Sequence, residues 1–120
     1  MIRRLGCVLA PLLGALAALC GVALVSRMWA ACDVGVGAGA NAGALLLLAV
    51  PLFLVTSAGS ALTVAAVGRR SGALALAGSV AVTLLAIWLF VALLHSPGDY
   101  PAPVCAPDNL PPWWPGWLPV

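Results

Sequence analysis

Three stretches of this chain run without a charged side chain for longer than a water-soluble fold tolerates: Leu5 to Ser26, Ala42 to Val67 and Gly72 to Leu94. Each exceeds the ~18 residues that separate a membrane span from a buried helix of a soluble protein. At ~1.5 Å of rise per residue, even the shortest makes a helix of roughly 33 Å, enough for a hydrocarbon core of about 30 Å. Lipid offers no hydrogen bonds to unpaired backbone groups, so a span of this kind must be helical. The pattern predicts an all-α membrane protein with three transmembrane helices, at about 5–26, 42–67 and 72–94. Residues 1–95 form the bundle, and residues 96–120 a non-helical tail rich in proline and tryptophan.

Composition agrees. Of 120 residues, 64% are hydrophobic and 7% charged, against roughly 25% charged in an ordinary globular domain. Lysine, glutamate and glutamine are absent. In amino-acid usage alone the chain resembles the small membrane proteins of bacteria with GC-rich genomes. A net charge of +2 is too small to suggest nucleic acid as a partner. The expected partners are the lipid bilayer and a membrane protein, either a second copy or another chain.

The first run is read as a retained span rather than a cleaved signal. Met1 to Arg4 would serve as an n-region, but the following run exceeds an h-region of about 7 to 15 residues. Met28 also puts a bulky side chain where the site Met28-Trp29-Ala30 wants a small one. Lipoprotein processing fits neither Cys7, which no hydrophobic stretch precedes, nor Cys20, which follows Leu19.

Orientation follows from the arginines. Arg3 and Arg4 precede the first span, and Arg69 and Arg70 sit in the tight turn between the second and third. With three spans these two places share one side, and the positive-inside rule makes it cytoplasmic. The N-terminus is then cytoplasmic and the C-terminus extracytoplasmic, in the plasma membrane. Arg27 dissents from the far end of the first span, where it can snorkel to headgroups or pair with Asp33 or Asp99. The outer loop, residues 31–41, is glycine-rich and expected to be flexible. Its Gly35, Gly37 and Gly39 lack the preceding strand that a phosphate-binding loop requires.

The tail holds eight of the ten prolines, so turns and polyproline-type segments are expected in place of helix or strand. Trp113, Trp114 and Trp117 suit the membrane–water interface, where an indole ring is buried and its N–H stays hydrated. They are expected to lie on the outer leaflet or to fill a groove of a partner protein.

Cys32 and Cys105 both fall beyond the outer face, in a compartment that permits disulfides. A bond between them would tie the tail to the first loop and place the tryptophans over the bundle. Cys7 and Cys20 are read as small apolar packing residues. The cysteines and the one histidine do not give zinc-ligand spacing, no C-x-x-C occurs, and no cofactor is expected. His95, followed by Asp99 and Tyr100, ends the third span. It lacks a nucleophile or second base at known spacing, so no enzyme activity is expected. A membrane-surface redox or enzyme element using His95, Asp99, Cys32 or Cys105 is the weakest of three functional classes.

No acid or base lies inside any span, whereas ion-coupled carriers keep ionisable groups at membrane depth. The most polar membrane stretch is Thr56 to Thr63. Thr56, Ser60 and Thr63 share a face, suited to helix packing with hydroxyls bonded one turn back. The same face could line the path of a small, homo-oligomeric transport or channel component. Gly6, Gly14 and Gly21, with Ala10 and Ala18, form a matching stripe on the first span that lets backbones approach. Pro11 and Pro51 are candidate kinks. The leading class is a structural or accessory subunit, or an assembly factor, acting through helix packing and the aromatic tail.

Overall fold

Three helices follow one another in the chain: α1 Ile2–Ala31, α2 Ala38–Val67 and α3 Gly72–Leu94. The computed structural model describes residues 2–32, 38–95, 105 and 110–120; among these there is no strand. Segments Gly6–Ala31, Asn41–Val67 and Gly72–Leu94 are each long and apolar enough to cross a membrane. Large apolar side chains stand exposed along all three, among them Leu12, Leu19, Leu47, Leu62 and Leu93. Such a surface is stable in lipid and unstable in water.

The third helix matches the expected span, while the first two are longer. A 30-residue helix such as α1 or α2 measures about 45 Å. That exceeds the hydrocarbon core and reaches through the headgroup zones, which bring the bilayer to about 40–45 Å. Polar residues at headgroup depth therefore do not end a helix. Arg27 lies exposed inside α1, and Gly39, expected in a flexible loop, belongs to the first turn of α2. Asp33, Gly35, Gly37, Asp99, Tyr100 and Asp108 lie outside the described residues, as do the side chains of Arg3 and Arg4. Pro11 and Pro51 sit within continuous helices, both on exposed faces.

The turn between α2 and α3 is short. Gly68 N–H donates to Val64 O at 2.9 Å, and Arg70 N–H to Val67 O at 2.9 Å. Ser71 caps α3, its hydroxyl accepting from Leu74 N–H at 3.3 Å, which satisfies one of the free donors of a helix start. Neighbouring helices run antiparallel. The start of α1 and the Arg69–Arg70 turn thus share one end of the bundle, the arginine end, and the tail belongs to the other.

Close backbone approach holds the arginine half together. A Cβ at Gly6 would stand 2.9 Å from Val64 Cγ1, and one at Gly14 would collide with Ser57 Oγ and with the backbone carbonyl of Phe53. A Cβ at Gly21 would press on Leu52 and Phe90. Between α2 and α3 the same relation joins Gly59 to Val82 and Gly78 to Thr63. Along the axis, Ala10, Ala17, Ala75, Ser60 and Ser79 fill the arginine half, and Val25, Met28, Leu45 and Val91 the tail half.

Candidate functional site

The last eleven residues fold into two consecutive four-residue turns. Trp114 N–H donates to Pro111 O at 2.9 Å, and Leu118 N–H to Pro115 O at 3.0 Å. Both turns read Pro-x-Trp-x, with proline first and tryptophan third: Pro111 to Trp114, then Pro115 to Leu118. Proline's fixed φ and missing N–H suit a turn and forbid a helix or a central strand. The indole N–H of Trp114 donates to Leu118 O at 2.9 Å and locks the second turn to the first.

This double turn rests on the chain's own bundle, where a Cys32–Cys105 bond is expected to hold it. Pro111 is buried, and Leu110, Trp114 and Val120 pack against the cluster of Val25, Met28, Leu45 and Val91. Trp88 of α3 donates its indole N–H to Pro119 O at 2.7 Å. Trp88 lies six residues before the end of α3, about 9 Å along the axis, so the tail reaches back alongside the helix. The physical reason is hydrogen bonding at depth. An indole N–H below the headgroups has no water to bond and needs a protein acceptor. Proline's carbonyl is such an acceptor, and proline has no N–H of its own to satisfy.

The three tail tryptophans therefore divide. Trp114 is half-buried on the bundle. Trp113 is 48% exposed and Trp117 80% exposed. Trp113 meets Trp114 edge-on, with ring centroids 6.2 Å apart, a favoured aromatic geometry. Trp117 projects furthest from the tail.

Two further connections fix this end. Cys32 and Cys105 stand at disulfide distance, with Cα atoms 5.3 Å apart and a sequence separation of 73. In the chain-entropy account a closed loop of this length contributes about 4 kcal/mol in a freely unfolding chain, and less where spans already restrict it. Trp29 of α1 donates its indole N–H to Leu94 O at 2.8 Å, occupying one of the free carbonyls at the end of α3. His95 N–H donates to Val91 O at 2.8 Å, and its ring Nδ1 lies 2.9 Å from Ala92 O. A carbonyl only accepts, so Nδ1 carries the proton there. The histidine thus finishes the helix.

The hydroxyl face is divided too. Thr63 Oγ1 donates to Gly59 O at 2.8 Å, the expected bond one turn back. Thr56 and Ser60 are fully buried, yet Thr56 Oγ1 and Ser60 Oγ, like Ser57 Oγ, have no hydrogen-bond partner among the described residues. Facing them from α3 are two buried hydroxyls that do bond back: Ser79 Oγ to Ala75 O at 2.8 Å, and Thr83 Oγ1 to Ser79 O at 2.8 Å. Ser79 and Thr83 escaped the sequence reading, although the run Ala75, Ser79, Thr83 at intervals of four carries the signal. Cys7 and Cys20 are both exposed, contrary to the packing role expected for them. The inward face of α1 belongs to Ala10, Gly14, Ala17 and Gly21, and the two cysteines fall outside it.

Apolar spans, lipid-facing leucines and a strapped aromatic end define a small multi-pass integral membrane protein. Comparison with protein families, curated proteins and solved structures finds no match to this chain.

Proposed function

We propose that this protein is a non-catalytic accessory or assembly subunit that presents the Trp113–Trp117 face of its tail to another membrane protein. The observation that carries this reading is the 80% exposure of Trp117 on a segment otherwise fixed to the bundle by Trp88, Trp114 and buried Pro111. A tail serving only to cover its own bundle would turn Trp117 inward as it does Trp114. A rigid, exposed indole gives much contact area for little ordering entropy, which is why tryptophan is enriched among residues that dominate binding energy. In this reading Arg3, Arg4, Arg69 and Arg70 keep the arginine end in the cytoplasm of the plasma membrane. The indoles then face the extracytoplasmic side.

A photoreactive phenylalanine analogue at position 117 tests the reading in native cells. The expected product is a discrete protein–protein adduct, with Trp117→Ala lowering recovery of that protein in mild detergent at least about tenfold, as for a binding hot spot. Adducts to lipid alone, or a lone monodisperse monomer, would refute the accessory role.

A further inference from the structure

At the arginine end an open furrow of about 600 Å³ runs between α1 and α2, walled by Gly6 and Ala10 on one side and Ser57, Ala61, Ala65 and Arg69 on the other. Its volume falls within the roughly 300–1,000 Å³ usual for ligand sites. Ser57, Ala61 and Ala65 of α2 follow at intervals of four, so they line one strip of the helix surface, and Arg69 continues it two residues past the helix end. From Arg69 to Ser57 the strip is about 18 Å long at ~1.5 Å per residue. One leaflet's share of the hydrocarbon core is about 15 Å. The furrow is thus as long as one leaflet is deep. Ala61, Ala65 and Arg69 are exposed, so it opens sideways to the bilayer.

Its chemistry is graded. The walls are mostly apolar and small down the length of the furrow, and among the described residues the single charge is the Arg69 guanidinium at the mouth. No acid stands near Arg69 in sequence. The chain's three acids, Asp33, Asp99 and Asp108, all follow the far ends of α1 and α3. Arg69 is held at headgroup level by the tight turn after α2, next to the capped start of α3, whose exposed N–H groups add positive potential. A second apolar furrow of about 350 Å³ lies on the other side of the Gly6–Val64 contact and is lined by no charged residue.

We infer that the α1–α2 furrow is a binding site for one anionic phospholipid, with an acyl chain lying between the helices and the phosphate on Arg69. Charge complementarity selects the headgroup, since basic pockets between helices retain acidic lipids. The match of furrow to leaflet depth selects a chain over a compact ligand. The small residues Gly6, Ala10, Ala61 and Ala65 make the depression that the chain fills. The site is independent of the accessory role and is tested on the purified chain alone.

The test is native mass spectrometry of the full chain released from bilayers of equal phosphatidylglycerol and phosphatidylcholine. The expected result is one retained phosphatidylglycerol in preference to phosphatidylcholine. Arg69→Gln should lower that retention about fivefold, the worth of one arginine near an acidic headgroup. Arg70→Gln, a change outside the furrow, should leave it near the original level. Ala61→Phe should abolish it by filling the furrow from its exposed side, where no packing is disturbed. Equal retention of the two lipids would overturn the inference. So would indifference to both Arg69→Gln and Ala61→Phe, or equal losses from Arg69→Gln and Arg70→Gln. A dimer that disappears on Ala61→Phe, with no lipid bound, would assign the furrow to a second copy instead.

Discussion

In the tail half, the bundle interior is filled by Val25, Met28, Leu45 and Val91, and the helices are joined by connections that cross long stretches of sequence. Trp29 reaches Leu94, Trp88 reaches Pro119, and Cys32 stands beside Cys105. In the arginine half the same helices meet through Gly6, Gly14, Gly59 and Gly78, with buried hydroxyls between them and no such cross-links among the described residues. The difference follows the solvent. Within lipid, apolar residues gain little by leaving one apolar surface for another. Association must then come from close backbone contact or from polar groups that need partners. The arginine half uses the first means. The tail half adds the second, because the tail brings a carbonyl acceptor to Trp88 and Cys105 to Cys32.

If that division is right, the most damaging single change belongs to the arginine half. Gly14→Leu drives a side chain into Ser57 and the Phe53 carbonyl, and backbone cannot move aside as a flexible side chain can. The expected loss is about 3 kcal/mol or more, at the upper end for overpacking, measured by unfolding in detergent. The tail should stay crosslinkable to α3 at milder denaturant. Next, Cys105→Ser should cost about 2 to 3 kcal/mol, below the free-chain value because the spans restrict unfolding. Its effect should be local, with faster proteolysis at residues 110–120 and unchanged packing at Gly14. A loss spread evenly over both halves would break the comparison. Trp88→Phe keeps an aromatic ring, a smaller one, and removes the donor to Pro119 O, for about 1 kcal/mol or somewhat more. The emission of Trp117 should change little, because that ring is already exposed. The smallest effect is expected at Thr56→Val, which removes a buried hydroxyl without a partner. Stability should hold or rise by up to about 1 kcal/mol. A clear loss would mean that this hydroxyl is bonded in the membrane.

The spans were legible because charge is so costly in lipid that its absence marks them. The boundaries of α3 were legible as well, since Arg69–Arg70 precede its Ser71 cap and Ser96-Pro97 follows. Both ends of α1 and the start of α2 were not, because Arg3, Arg4, Arg27 and Asn41 tolerate a helix at headgroup depth and polarity stops being a boundary there. The pairing of Cys32 with Cys105 followed from topology, an argument that needs no geometry. The seat of the tail was harder to see. Trp88 lies inside an uncharged run, where an aromatic ring looks like any other apolar residue. The missed signal was its N–H, which at that depth needs an acceptor. The grading of the interior from hydroxyls to large aliphatics stayed hidden because helix registers, which no composition encodes, decide which of many similar residues turn inward.

Cys32 and Cys105 are separated in the chain by α2 and α3, two crossings of the bilayer. An even number of crossings returns the polypeptide to the compartment it left, whichever way the protein faces. A nascent chain that threaded only one of the two helices would strand its two thiols on opposite sides of the membrane. Closure of this one bond therefore excludes a chain with only one of the two helices threaded, and a cell that eliminates unoxidised copies would discard those half-threaded ones.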